Sequence, residues 1–154
     1  MNLEKDIEYY GNEILGLFNT TAFATCLTSI TTEKGDDFTL PAFACRKYGW
    51  ADMEAELPAL YVMELREELI RDDGKGRWMW FKFALEVYDT EADTEKLEKK
   101  MNRYARAISE TLLAEYGDNG IIQGVDYSPV FKNQDSLFKV CSVQFNLKVF
   151  QDVT

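Results

Sequence analysis

The sequence predicts an α+β fold in which a mostly antiparallel sheet of about four strands packs against one long amphipathic helix, with a further helix at the N-terminus. First, the turn sequence Asp72-Asp-Gly-Lys-Gly76 separates two apolar runs, a pattern typical of a long hairpin. Second, the run from Trp78 to Tyr88 is unusually aromatic and alternates like a strand. Third, apolar residues recur at helical spacing from Leu97 to Leu112, before Gly117.

The length of 154 residues suits a single domain spanning 1–154. We divide it into an N-terminal helix at 2–18, a variable loop region at 19–58 and an α+β core at 59–150. In the first segment, apolar residues at steps of four and three indicate an amphipathic helix. The residues of this stripe are Leu3, Ile7, Tyr10, Ile14 and Leu17.

The region 19–58 gives the weaker signal. A short apolar stripe favours a helix that ends near Gly35, although the threonine-rich composition also fits a strand. From residue 36 to residue 58, the prolines and a glycine predict a loop or short edge strands. The apolar stripe consists of Phe23, Leu27 and Ile30.

The core region contains the clearest elements. The two runs around the turn are predicted to be antiparallel neighbours. The long helix is predicted to begin at a cap, Thr90 or Asp93, and to end at Gly117. Two more strands follow this helix. The predicted strands are residues 61–70, 78–88, 121–127 and 138–150.

The aromatic strand carries bulky residues on both faces, so both faces need cover, and the helix that follows can cover only one of them. One face is uniformly apolar and is predicted to meet the core, whereas the other is mixed. The first face comprises Met79, Phe81, Phe83, Leu85 and Val87, and the second comprises Trp78, Trp80, Lys82, Ala84, Glu86 and Tyr88.

Composition argues against several classes of protein. The formal net charge is −10, which disfavours binding to nucleic acid phosphates, because that binding needs clusters of Lys and Arg. No signal-peptide pattern is present, and no apolar run approaches the roughly 18 residues of a membrane span, so we expect a soluble protein without membrane contact. The three cysteines are expected to be small buried residues in a reducing compartment. They are Cys26, Cys45 and Cys141.

No motif predicts an enzyme. The run Asp89-x-Glu91-x-Asp93 has the spacing that opens a calcium loop, but Thr94 and Lys100 stand where that loop needs Gly and Glu, so helix capping is favoured. Glu64 and Glu86 could do acid-base work, yet nothing in the sequence shows that they share a pocket. The chain has no histidine and no nucleophile or cofactor motif. We therefore expect no catalytic residue, no cofactor and no metal.

Trp78, Trp80 and Tyr88 are the candidate binding residues. They could stack on the bases of single-stranded nucleic acid, which needs interleaved cations. The available cations have acidic neighbours, and Trp and Tyr are enriched at protein interfaces, so packing in the core or against another subunit is favoured. These cations are Lys75, Arg77 and Lys82.

From residue 59 onward the chain has a strand after a proline, a hairpin with a basic tip, an aromatic strand, a helix of about six turns and two more strands. The residues that carry this pattern are Leu60-Tyr-Val62, Phe81-Lys-Phe-Ala-Leu-Glu-Val-Tyr-Asp89, Leu97 to Leu113 and Lys139-Val-Cys-Ser-Val-Gln-Phe-Asn-Leu147. In this pattern the chain resembles the tail terminator and related head-to-tail joining proteins of long-tailed bacteriophages. The resemblance covers Leu60 to Phe150, and residues 2–18 resemble the leading helix of that family.

The resemblance implies a structural virion protein without catalytic activity. Its members form a ring, usually a hexamer, at the head-proximal end of the tail, where the ring terminates the tail tube and joins it to the head connector. The implied partners are further copies of the chain, the tail tube protein and the head-tail connector proteins, while DNA passes through without specific binding. The implied location is the virion tail, after synthesis in the host cytoplasm. The candidate residues for the subunit or tube interface are Lys75, Arg77, Trp78, Trp80 and Tyr88.

Two alternatives remain open. The chain could be another phage tail or baseplate subunit, which shares the structural class. It could also be a small intracellular domain whose aromatic strand forms a groove for a small ligand.

Overall fold

The structure is a computed structural model that describes residues 5–36, 38–49 and 55–152, apart from the side chain of Asn133. Within these ranges it has three α-helices, one short 3-10 turn and a six-stranded sheet. The helices are α1 (Ile7–Leu17), α2 (Thr21–Lys34) and α3 (Thr94–Tyr116), and the 3-10 turn is Gly117–Asn119. The strands are β1 (Cys45–Tyr48), β2 (Ala59–Asp72), β3 (Gly76–Glu91), β4 (Gly120–Tyr127), β5 (Phe131–Asn133) and β6 (Ser136–Asp152).

The strands follow the order β1-β2-β3-β6-β4, and β5 pairs with the start of β6. β1 runs parallel to β2, and the other pairings are antiparallel. The two central strands, β3 and β6, pair along their whole length, from Gly76 opposite Asp152 to Glu91 opposite Leu137. This long ladder is the centre of the sheet.

β2 and β3 form the hairpin that the turn sequence predicted, and aspartate side chains build its tip. Oδ1 of Asp72 accepts a hydrogen bond from the amide of Gly74 at 2.9 Å, and Oδ1 of Asp73 accepts one from the amide of Gly76 at 3.0 Å. Gly74 has a φ of 83°, a conformation that residues with a side chain rarely adopt.

The helices pack on one face of the sheet, which we call the inner face. α3 packs across β3, β4 and β6, α1 packs on β1 and β2, and α2 packs on α3. The predicted apolar face of β3 is buried here, since Phe81, Phe83, Leu85 and Val87 are each 0% exposed. The predicted stripe of α3 is buried against it, which confirms both patterns. That stripe is Leu97, Met101, Tyr104, Ile108 and Leu112.

The ends of the helices follow local chemistry. Asp93 caps α3 through a hydrogen bond that its Oδ1 accepts from the amide of Glu95 at 3.0 Å, and the helix ends at Gly117, both as predicted. Gly11 allows α1 to approach the sheet closely, because a methyl group in its place would collide with the ring of Tyr48.

The α+β class is confirmed, but the predicted count of about four strands is wrong. β5 was missed because it spans three residues and depends on pairing with a longer neighbour rather than on its own composition. In the region 19–58 the helix favoured before Gly35 is confirmed as α2, and β1 is a short edge strand, one of the two structures predicted for residues 36–58. The N-terminal helix begins at Ile7, after the cap Asp6; Leu3 lies outside the described residues.

Candidate functional site

The face of the sheet opposite the helices, which we call the outer face, is the candidate site. None of its side chains on β3 and β6 belongs to the hydrophobic core cluster of the described part of the chain. These side chains alternate with the inner-face residues, as the sequence predicted. They are Trp78, Trp80, Lys82, Ala84, Glu86 and Tyr88 on β3, and Phe138, Val140, Ser142, Gln144, Asn146, Lys148 and Phe150 on β6.

One end of the outer face is aromatic and cationic. The rings of Trp78 and Phe150 lie 5.1 Å apart between centroids, and Nζ of Lys148 lies 5.0 Å from the centroid of the Trp78 ring. Arg71 is opposite Trp78 on β2, and Lys148 is opposite Trp80 on β6. Phe150 remains 44% exposed, so this end presents apolar surface to solvent. We call these five residues, Arg71, Trp78, Trp80, Lys148 and Phe150, the Trp78 patch.

Beside this patch, an ion pair crosses from β3 to β2. Nζ of Lys82 lies 2.8 Å from Oε2 of Glu68, the residue opposite Trp80. The hydrogen bond from Lys82 is the main reason that the pKa of Glu68 is lowered. Both side chains are partly open to solvent, so we expect this pair to orient side chains more than to stabilise the fold.

The middle of the outer face is polar. The amide of Gln144 donates to Oδ2 of Asp126 at 2.7 Å, and the amide of Asn146 donates to Oε1 of Gln123 at 3.0 Å. These bonds tie β6 to the edge strand β4 through side chains as well as backbone. The middle therefore satisfies its own polar groups without a partner.

The other end of the outer face holds an aromatic cluster and a concave pocket. The Tyr88 ring lies 5.4 Å from that of Tyr61 and 5.9 Å from that of Phe138. The Tyr88 hydroxyl donates to Oε1 of Glu86 at 2.8 Å, and burial together with this carboxylate raises the pKa of Tyr88. The pocket has a volume of about 580 Å³. Its lining residues are Leu57, Tyr88, Thr90, Phe131, Gln134, Ser136 and Phe138.

The structure does not bring the five predicted interface residues together. Trp78 and Tyr88 are ten residues apart on one strand, which corresponds to about 33 Å. Lys75 is at the exposed tip of the hairpin. Arg77 alternates onto the inner side, where its Nε donates to Oε1 of Gln151 at 2.9 Å. Their role at an interface stays a prediction.

Sequence reasoning missed Arg71, Lys148 and Phe150 as members of the Trp78 patch. Alternation along β6 puts Lys148 on the outer face, but only the register shows which residue of β3 it is opposite. Arg71 follows an irregularity in the pairing between Leu69 and Arg71, which no local pattern in the sequence predicts.

The acidic run Asp89-x-Glu91-x-Asp93 does not form a calcium loop, and two of its carboxylates pair with the buried Lys100. Nζ of Lys100 lies 2.7 Å from Oδ2 of Asp89 and 3.1 Å from Oε2 of Glu91. Burial favours the neutral amine, but the hydrogen bonds and charges of the two carboxylates outweigh it, so the pKa of Lys100 is raised. Asp89 is on the inner face and caps no helix, unlike Asp93. In the described ranges no group of three or more acidic, Cys or His side chains is placed to hold a metal ion.

The other candidate chemical groups are separated or inactive. Glu64 and Glu86 lie on opposite faces, since Glu64 is opposite the inner residue Phe83, so they share no pocket. Burial raises the pKa of Cys141 to about 12, and burial followed by Glu110 raises that of Cys26 to about 11, so neither forms a thiolate near neutral pH. The expectation of three buried cysteines is wrong in part, because Cys26 and Cys45 are only half-buried.

No single helix among the described residues has the length and hydrophobicity needed to cross a membrane. α1 and α2 would pass this test only when taken together, and they bend by 53° between them. Phe23, Leu27 and Ile30 of α2 belong to the core, which accounts for the apolar character of this helix.

Comparisons with known proteins give little beyond the geometry. No protein-family model matches the chain. No curated protein matches it either. One solved structure with a detectable likeness is a chain from the virion of a native gene transfer agent (GTA) particle, at 18% identity and a TM-score of 0.35. This likeness covers 68% of the present chain and 78% of that chain. A TM-score this low carries no conclusion about fold or function.

Proposed function

We propose that this chain is a structural virion protein that forms a ring at the head-proximal end of a phage tail. In this role it terminates the tail tube and joins the tube to the head connector. It acts without catalysis, cofactor or metal. The proposal combines the order of elements from residue 59 onward, which resembles the tail terminator class, with an outer face that is available to a second subunit.

The observation that carries the proposal is the state of the outer face. The helices cover the inner face, and no element of the described chain covers the outer face. Half-buried Trp78 and Trp80 lie at one end of the outer face, and half-buried Tyr88 lies at the other. Partly exposed aromatic residues are typical of protein interfaces. An interface on the sheet side that meets a different surface of the next copy is heterologous, and such contacts close into rings when the rotation between copies permits.

The charge of the chain is compatible with a conduit for DNA. A net charge of −10 gives most of the surface the same sign as DNA, which disfavours adhesion of DNA that passes through a ring.

Electron microscopy of the purified full chain, alone and with tail tube protein, tests the proposal. We expect ring-shaped particles with a central hole, and a ring-sized species in light scattering at high protein concentration. A strict monomer that also ignores the tube protein would contradict the proposal. Rings that bind at the distal end of the tail would instead favour a baseplate subunit.

The pocket beside Tyr88 favours one second candidate, a small ligand-binding domain. Its volume of about 580 Å³ is within the range of small-molecule sites. Trp80 is about 26 Å along the strand from Tyr88, so tryptophan quenching would not report binding there. A ligand screen by thermal shift, with Phe138→Ala as the disabling variant and Trp80→Ala as the control, tests this candidate. Saturable binding by a chain that stays monomeric would support it over the ring.

A further inference from the structure

We infer that the Trp78 patch docks onto a groove beside Glu115 in the helical layer of a second copy of this chain. The inference rests on the proposed assembly and names the two surfaces that meet. The groove lies where the end of α1, the start of α2 and the last turns of α3 converge, and its volume is about 410 Å³. We call it the α3 groove. Its lining residues are Leu17, Thr20, Ala22, Cys26, Glu110, Thr111, Ala114 and Glu115.

The Trp78 patch has a cationic excess in an otherwise acidic chain. Among the described residues, Arg71 has no ion-pair partner. Within the same residues, the Lys148 ammonium has no ion-pair partner either, and it lies over the Trp78 ring. The nearby acid Glu68 is already paired with Lys82. The free charge of the patch is therefore positive, next to exposed apolar surface from Phe150.

The α3 groove has the complementary character. Glu115 is exposed and has no ion-pair partner in the described part of the chain, whereas Glu110 is paired with Arg106. Leu17, Ala22 and Ala114 give the groove its apolar surface. The groove thus offers one free carboxylate beside apolar side chains, which matches the guanidinium, ammonium and aromatic groups of the patch.

The two surfaces are on opposite sides of the molecule, since the patch is on the outer face and the groove is in the helical layer. The patch of one copy therefore cannot reach the groove of the same copy. Two copies related by a two-fold axis would have to form the patch-to-groove contact twice, which surfaces on opposite sides of a copy do not allow. The contact is head-to-tail, which is the kind of contact that a ring or a filament needs.

A charge exchange tests the pairing. Sedimentation velocity on the full chain compares wild type with Arg71→Glu, Glu115→Lys and the double variant. We expect each single change to weaken self-association by about tenfold or more, and the double variant to recover most of that loss. Arg71→Glu makes the chain more acidic and Glu115→Lys makes it less acidic, so general repulsion between acidic chains would move the two single variants in opposite directions.

Lys34→Glu is the matched control, because it makes the same change of charge at an exposed position on α2. We expect it to leave self-association within about twofold of wild type, and thermal unfolding shows whether every variant is folded. Raising the salt concentration should weaken wild type more than the Arg71→Glu variant, because salt screens exposed charges.

The outcomes separate this inference from the proposed function. If rings form but the single variants associate like wild type, or the double variant recovers nothing, the pairing is wrong and the ring stands. If the pairing holds but the particles are open filaments, the ring is wrong. A wild type that is monomeric under all conditions overturns both. If Arg71→Glu abolishes binding of single-stranded DNA and leaves self-association unchanged, the patch binds phosphate and the inference is wrong.

Discussion

The inner and outer faces of β3 belong to one strand and differ in what covers their side chains. Inner residues such as Phe81, Phe83 and Leu85 are fully buried because α1 and α3 lie against them. Outer residues such as Trp78 and Trp80 are half-buried, and their sheet neighbours include the charged residues Arg71, Glu68 and Lys148. Bulky aromatic side chains are thus present on both faces, but helices of the same chain cover only the inner face.

The comparison shows that aromatic content alone does not identify a core. On the inner face of β3 apolar residues continue without interruption from Met79 to Val87, and the helical layer covers them. On the outer face the aromatic ends are separated by a polar middle in which Gln144 and Asn146 have side-chain partners. Partly exposed aromatic surface therefore lies at the two ends and not in the middle, which is compatible with limited docking of a partner at the ends.

The largest expected effect comes from a charge on the inner face. Phe83→Asp should prevent folding, because an unpaired carboxylate would be buried beneath α3 and would cost more than about 4 kcal/mol. Circular dichroism and denaturant unfolding measure this effect. Val140→Asp, at a half-buried position on the outer face of β6, is the matched control. Equal damage from both changes would mean that the two faces are equally internal.

A smaller effect is expected at the polar edge of the inner face. Asp89→Ala leaves the Lys100 ammonium buried with only Glu91 as a partner, so we expect a loss of about 3 kcal/mol in the free energy of unfolding. Glu95→Ala removes the exposed partner of Lys99 and should cost less than about 0.5 kcal/mol. Urea unfolding at neutral pH compares the two variants. Similar losses would contradict the expectation that the buried ion pair contributes more to stability than the exposed one.

On the outer face, Trp80→Ala should separate stability from assembly. We expect a folded chain that loses about 1–2 kcal/mol, because only part of this side chain is buried, together with weaker self-association. Thermal unfolding and light scattering measure the two effects. Tyr9→Ala removes a half-exposed aromatic ring from α1 and should leave assembly unchanged. A Trp80→Ala variant as unfolded as Phe83→Asp would remove the main support for the ring.

The smallest effect concerns the exposed ion pair beside the Trp78 patch. The pKa of Glu68 is lowered in the folded chain, chiefly by the hydrogen bond from Lys82, so its carboxylate stabilises the fold at pH values above the ordinary value of 4.5 and loses this contribution as the pH falls. Glu68→Gln should therefore be slightly less stable than wild type near neutral pH. The difference in melting temperature should vanish on acidification, and a difference that grows instead would contradict the lowered pKa.

Local patterns predicted the elements that have strong signals of their own. The stripe of α3, its cap Asp93 and the hairpin turn are encoded within a few residues of one another, and each forms as predicted. β5 escaped prediction, and the bounds of β1 were not predicted within residues 36–58, because short strands take their stability from pairing with a neighbouring strand. The site was only half predictable for the same reason: Trp78 and Trp80 were chosen by type, while Arg71, Lys148 and Phe150 join them through register.

The sequence by itself determined the α+β class, the two faces of the aromatic strand and the absence of a histidine or a nucleophile motif, because these depend on residue types and on spacing along the chain. Only the tertiary structure decided that Trp78 and Tyr88 lie at opposite ends of one face, that Lys100 neutralises the acidic run, and that cations gather around Trp78. These are contacts between residues far apart in sequence. Their free energy depends on distance and burial, which the order of residues alone does not give.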